Sequence, residues 1–173
     1  QAFKAGQEDT SRIPTGQVKA TQDSPQTKDD VVTGTELSLY YYGFQLNGNS
    51  ELAHNKTLRQ ALAWATNSKA IVDNINEGIG TVADGLVPPG IPGYKPGMSP
   101  YHYDPAKAKQ LVQQSGVSNP SITLSYNTDP GHQRIAQALA QGYQAAGFKT
   151  KLANYEWGTF LDKLSKGELD FWR

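Results

Sequence analysis

Apolar positions recur along the chain with two different periods, and the switching between them predicts the order of elements. Lys56 to Ala65 carries Leu58, Ala61, Leu62 and Ala65 at helical spacing. Asn67 or Ser68 then caps a second short helix bearing Ala70, Ile71 and Ile75 up to Gly78. Asp104 followed by Pro105 is a strong helix start, because the carboxylate accepts from orphan amides and proline needs no donor in the first turn. Ala108, Leu111 and Val112 supply the buried stripe of that helix, and Gly116 ends it. Asp129 and Pro130 repeat the start, with Ile135, Leu139, Tyr143 and Ala146 on one face before Gly147 closes the helix. Between these helices Ile122, Leu124 and Tyr126 alternate with Thr123 and Ser125, the period of a half-buried strand. Thr150 to Glu156 predicts another strand, Phe160, Leu161 and Leu164 a short helix closed by Gly167, and Leu169 to Arg173 the opening of a further strand.

The remaining stretches are less regular. Val31 to Leu46, with the run Leu39, Tyr40, Tyr41, Tyr42, Gly43, Phe44, reads as a strand covered on both faces, followed by a turn at Asn47 to Ser50. Gly80 to Pro100 is a long ordered loop, since its prolines lack amide donors and fix φ. Gln1 to Asp30 is polar and weakly periodic, a helix remnant at Ala2 to Glu8 and then a turn-rich connector. Strands alternating with helices give an α/β fold, a mixed sheet flanked by helices, with residues 1–173 as a single domain. The chain opens inside an apparent helix and stops on Phe171, Trp172 and Arg173 in what should be a buried strand. We therefore read it as a piece of a larger protein.

Composition narrows the classes of function. A length of 173 residues is ample for one hydrophobic core. Sixteen Lys and Arg balance sixteen Asp and Glu, which argues against a nucleic-acid partner or a polybasic membrane surface. No apolar run approaches the roughly 20 residues needed to cross a bilayer. The absence of cysteine excludes disulfides, thiolate catalysis and cysteine-ligated zinc. His54, His102 and His132 lack a metal-binding spacing, and no GxSxG, Walker or GxGxxG motif occurs, so neither metal nor cofactor is expected. A hydrolase would have to draw a carboxylate pair from Glu156, Asp162, Glu168 and Asp170. Asp162 falls on the outer side of a short helix and Glu168 just past its end, so a surface role is the better reading.

Aromatic residues are the stronger candidates. Trp64 belongs to a helical stripe and is assigned to the core. Tyr40, Tyr41 and Tyr42, if extended, point alternately to opposite faces, so that one ring is buried while another faces a cleft. Trp157 follows a strand and precedes a helix, where open α/β sheets place ligand contacts; packing at the start of the helix explains it equally well.

Several blocks together carry a family resemblance. They are Tyr40-Tyr-Tyr-Gly-Phe, Leu58-Arg-Gln-Ala-Leu-Ala-Trp-Ala-Thr-Asn-Ser-Lys-Ala-Ile-Val, Val87-Pro-Pro-Gly-Ile-Pro-Gly-Tyr, Tyr103-Asp-Pro-Ala-Lys-Ala-Lys-Gln-Leu, Tyr126-Asn-Thr, Trp157-Gly-Thr-Phe-Leu and Asp170-Phe-Trp-Arg. In this order and spacing the chain resembles the extracytoplasmic solute-binding proteins of peptide and nickel ABC transporters. The resemblance implies one lobe, most of the second, of a two-lobed periplasmic-binding-protein-like fold that encloses a peptide without breaking any bond. Its expected partners are the peptide, the membrane permease and the first lobe of the same protein, with nickel chelates, haem and oligosaccharides as other ligand classes. Its expected location is the periplasm or the outer face of the cytoplasmic membrane, free or lipid-anchored.

Carried over by motif, Trp157 resembles a pocket-lining tryptophan and Tyr41 a cleft-facing tyrosine. Arg173 and His132 resemble a cationic pair that meets a peptide carboxylate. Their plainer readings are a histidine in an exposed first helical turn and an arginine paired with Asp170 or Glu168. In the oligopeptide binders the strand runs on past the arginine into a Gly-Trp-x-Ala-Asp-Tyr-like segment, whose aspartate meets the peptide amino terminus. The present chain ends before it.

Overall fold

The computed structural model describes residues 2–34 and 36–173. Its helices are α1 (Val18–Asp23), α2 (Glu51–His54), α3 (Lys56–Ala65), α4 (Ser68–Ala70, continued by a π turn at Ile71–Ile75), α5 (Pro105–Gln114), α6 (Pro130–Ala146) and α7 (Trp157–Ser165). Its strands are β1 (Gly43–Phe44), β2 (Ser121–Asn127), β3 (Lys149–Tyr155) and β4 (Phe171–Trp172). No helix among the described residues is long and apolar enough to cross a membrane.

The strands form one mixed sheet in the order β1-β4-β2-β3. β2 runs parallel to both neighbours, Leu124 lying opposite Leu152 on one side and Phe171 on the other. β1 closes the edge antiparallel to β4, with Gly43 opposite Trp172 and Phe44 opposite Phe171. The sequence expectation of a mixed sheet flanked by helices therefore holds.

The capping signals act as read. Asp104 accepts a hydrogen bond from the Lys107 amide at 2.8 Å, and Asp129 accepts from the amides of Gly131 and His132. Asn55 and Asn67 cap α3 and α4 in the same manner. Gly147 takes φ 110° at the end of α6, a conformation open to glycine and strained for other residues. One cluster joins Leu58, Ala61, Leu62 and Ala65 of α3, Ala108, Leu111 and Val112 of α5 and Ile135, Leu139 and Tyr143 of α6 to Ile122, Leu124, Tyr126 and Phe171 of the sheet. Ser125 and Phe160, both 2% exposed and outside that cluster, mark the opposite face, where α7 packs on β2 and β3.

Three expectations are corrected. Of the strand predicted over Val31 to Leu46, the described residues form strand only at Gly43–Phe44, extended by a Gln45 amide bond to the Asp170 carbonyl, and Tyr40 and Tyr41 are exposed rather than covered on both faces. Tyrosine-rich composition favours a pleated, half-buried surface, and here that surface ends at β1. The helix remnant at Ala2 to Glu8 is a single 3-10 turn at Phe3–Ala5, while the connector holds a true helix, α1. Two α1 amides donate to the Glu77 carboxylate, the Val18 bond being 2.8 Å, so its cap lies 59 residues away in sequence. Trp64, assigned to the core, is half-buried: it packs against the core cluster from its margin and meets His102 edge-on at 4.5 Å.

Candidate functional site

Because β2, β3 and β4 are parallel, their carboxyl ends meet at one edge of the sheet, and the candidate residues gather there. Asn127 ends β2, Arg173 follows β4, His132 lies in the first turn of α6 and Trp157 opens α7. The Arg173 amide donates to the Ser125 carbonyl at 3.0 Å, so the backbone ladder sets where its side chain begins.

The guanidinium of Arg173 donates to Asn127 Oδ1 at 3.0 Å and lies face-on over the Tyr40 ring, 4.5 Å from its centre. Tyr40 in turn shares a hydrogen bond of 3.1 Å between its hydroxyl and His132 Nδ1. His132 is 17% exposed at the side chain and sits 3.7 Å from Asp129. Burial, and then the charge of Arg173, push its pKa below the ordinary histidine value, with Asp129 pulling weakly the other way, so the ring is neutral at pH 7. Burial likewise raises the pKa of Tyr40 above the ordinary tyrosine value. The Tyr42 hydroxyl beneath is buried and has no hydrogen-bond partner among the described residues.

Tyr41, Trp157 and Arg173 line one cavity of about 220 Å³, together with Leu39, Phe160, Leu161, Leu164 and Trp172. Tyr41 meets Trp172 edge-on at 6.0 Å, and Trp157 stacks on Phe160 at 5.9 Å while leaving 56% of its surface exposed. His132 is not in that cavity. It lines a second hollow of about 360 Å³ with Tyr40, Asp129 and residues of the amino-terminal segment. The expected cationic pair is thus bridged by Tyr40, which faces the second hollow while its ring carries Arg173.

Arg173 pairs with neither Asp170 nor Glu168 among the described residues, and Glu168 is taken by Lys163 at 2.9 Å. Asp162 pairs with Lys166, and Glu156 and Asp170 are exposed and outside both hollows. None of the four acids considered for a hydrolase lines either hollow, and two of them are paired with surface lysines. No cluster of three His, Asp or Glu suited to a metal ion occurs among the described residues. The chain reading missed Tyr40, Asn127 and Trp172. The available signals were the placement of Tyr40 two residues before half-buried Tyr42, and the Asn following Tyr126 at the end of a parallel strand.

Comparison with known proteins identifies the family. The sequence model for "Bacterial extracellular solute-binding proteins, family 5 Middle" matches residues 1–173. The chain is 31% identical to the oligopeptide-binding protein OppA of Bacillus subtilis over 94% of its own length and 32% of that protein's. It is 35% identical to the dipeptide-binding protein of Escherichia coli, over 64% of the chain and 22% of the relative. The solved murein tripeptide binding protein MppA of Escherichia coli superposes with a TM-score of 0.85 at 27% identity, over 99% of this chain and 35% of that one. The chain thus spans about a third or less of the relatives it matches. Matched along its whole length by the family and sharing its fold with a solved peptide-binding protein, the chain belongs to the bacterial extracellular solute-binding proteins of family 5.

Proposed function

We propose that the chain forms most of the second lobe of a two-lobed substrate-binding protein, which captures peptides outside the cytoplasmic membrane and passes them to an ABC-transporter permease. The observation that carries this reading is Arg173. It is a half-buried guanidinium at the carboxyl edge of the sheet, oriented by Asn127 and Tyr40 and paired with no carboxylate among the described residues. Only one hydrogen bond from its fork of donors is made within the described residues, so an arriving carboxylate finds donors already oriented. His132, neutral and close by, adds a hydrogen-bonding group whose charge responds to that carboxylate.

Capture needs no chemical step. A peptide held between this wall and a facing lobe favours the closed arrangement over the open one, and the permease then recognises the closed form. The test is mass spectrometry of ligand co-purified with the full-length protein, joined to calorimetry with short peptides. Peptides of several lengths are expected to give heat, and acetylated, amidated versions much less. Binding of haem, a nickel chelate or a sugar, with no heat from any peptide, would overturn the ligand class.

A further inference from the structure

The amino-terminal segment is fastened to the rest of the domain at few points. None of the described residues from 2 to 41 is buried, and none joins the hydrophobic cluster. Among the described residues, three hydrogen bonds tie residues 2–34 to residues 43–173. The amides of Val18 and Lys19 donate to the Glu77 carboxylate at 2.8 and 3.4 Å, and the Arg134 guanidinium donates to the Thr15 carbonyl at 3.3 Å. A segment that buries so little surface detaches at a small fraction of the cost of unfolding the core.

Glu77 is the unusual member of these contacts. It follows the π turn at Ile71–Ile75 and adopts φ 53°, a left-handed conformation strained for any residue with a side chain. From there its carboxylate reaches the first amides of α1, a helix for which the preceding Gln17 makes no side-chain capping bond. Val18, with Arg12, Thr15 and Glu36, lines one side of the 360 Å³ hollow, and Asn76, Asp129 and His132 line the other. Glu77 itself does not line the hollow. Its release would free the wall that faces His132 and leave every residue of the hollow unchanged.

We propose that Glu77 is a catch: by holding α1 it seats the amino-terminal segment as one wall of the hollow beside His132, and so positions the ligand site without touching ligand. The inference rests on the peptide reading above, in which the ligand reaches His132. A ligand in contact with both walls binds fully only while the catch is engaged, so its apparent Kd rises as the engaged fraction falls.

Hydrogen exchange read by mass spectrometry, and calorimetry with alanine peptides of several lengths, test this on the full-length protein. In Glu77→Ala the α1 amides are expected to exchange on the order of tenfold faster, as befits loss of a charged hydrogen bond, and the peptides to bind weaker by a similar factor. Exchange in α3, α5 and α6 should not change. Glu77→Gln keeps an uncharged acceptor and should fall between wild type and the alanine variant. Glu77→Gly removes the backbone strain together with the catch, so Tm should not fall although α1 loosens and binding weakens; a role in folding alone would lower Tm and affinity together. Gly16→Ala approaches the same segment from its other fastening, since a Cβ there would collide with the Arg134 guanidinium, and should loosen α1 in the same way. Unchanged α1 exchange in the Glu77 variants, or faster exchange with unchanged affinity, overturns the proposal and leaves the peptide reading intact. Heat from none of the peptides with the wild-type protein would overturn the peptide reading and this inference with it.

Discussion

Truncating Phe171 to alanine asks whether the core that holds the sheet together also holds the site. Phe171 is 2% exposed, stacks on Phe44 at 4.8 Å with planes 11° apart, and meets Tyr42 and Tyr143 at 5.7 and 5.9 Å. It pairs with Phe44 on one side and Leu124 on the other, so no neighbour can move in without breaking the ladder. Removing a buried phenylalanine ring costs about 3–5 kcal/mol, and the tightness of this position places the loss at about 4. For a chain of this size each kcal/mol lowers Tm by roughly 2–4 °C, giving a fall of roughly 8–16 °C. Phe171→Leu keeps most of the volume and should cost less than about 1.5 kcal/mol. Thermal and urea unfolding followed by tryptophan fluorescence measures both, with Trp172 next in sequence as the reporter. A fall of under about 3 °C for the alanine variant, at unchanged urea m-value, would refute the placement of Phe171 as the shared core of sheet and site.

Three further outcomes are expected. Arg173→Gln should weaken peptides with a free carboxyl terminus by roughly tenfold to a hundredfold, as befits loss of a charged hydrogen bond of about 1.5–3 kcal/mol; calorimetry should show amidated peptides almost unaffected. His132 has a folded pKa below its unfolded one, so the unfolded chain takes up its proton first as pH falls. The stability from keeping it neutral is present above about pH 6.5 and is lost as pH drops toward the lower folded value. Melting curves of wild type and His132→Gln between pH 7.5 and 5, a span chosen as roughly one unit or more either side of the ordinary histidine value, should show a shallower slope in the variant. Gly142→Ala should destabilise α6 despite alanine's helix advantage of about 1 kcal/mol, because the added Cβ would lie 2.9 Å from the Ala65 carbonyl oxygen; a rise in Tm would contradict that packing.

Much of the scaffold was legible because its signals are local. Asp104-Pro105 and Asp129-Pro130 start α5 and α6 where they stand, and the alternating Ile122, Leu124 and Tyr126 are all buried. The segment before β1 was misread because its tyrosines answer to distant partners: Tyr40 to Arg173 and His132, Tyr41 to Trp172. α1 was missed for the same reason, its cap being supplied by Glu77. At the site, motif blocks located Tyr41, Trp157 and Arg173, which do share a cavity. They did not say that His132 would be separated from Arg173 by a tyrosine ring, a relation set by two contacts spanning 92 and 133 positions of sequence.

The register of β4 has its own consequence. Two residues are bonded on both sides, and alternation sends Phe171 into the core and Trp172 to the cavity, while Arg173 is fixed by the Ser125 carbonyl. A slip of one position would bury the indole, expose the phenyl ring and carry the cation away from Asn127. Misregistered chains would thus lose the candidate site's arrangement as well as stability, since both flanking strands pair with the same two residues.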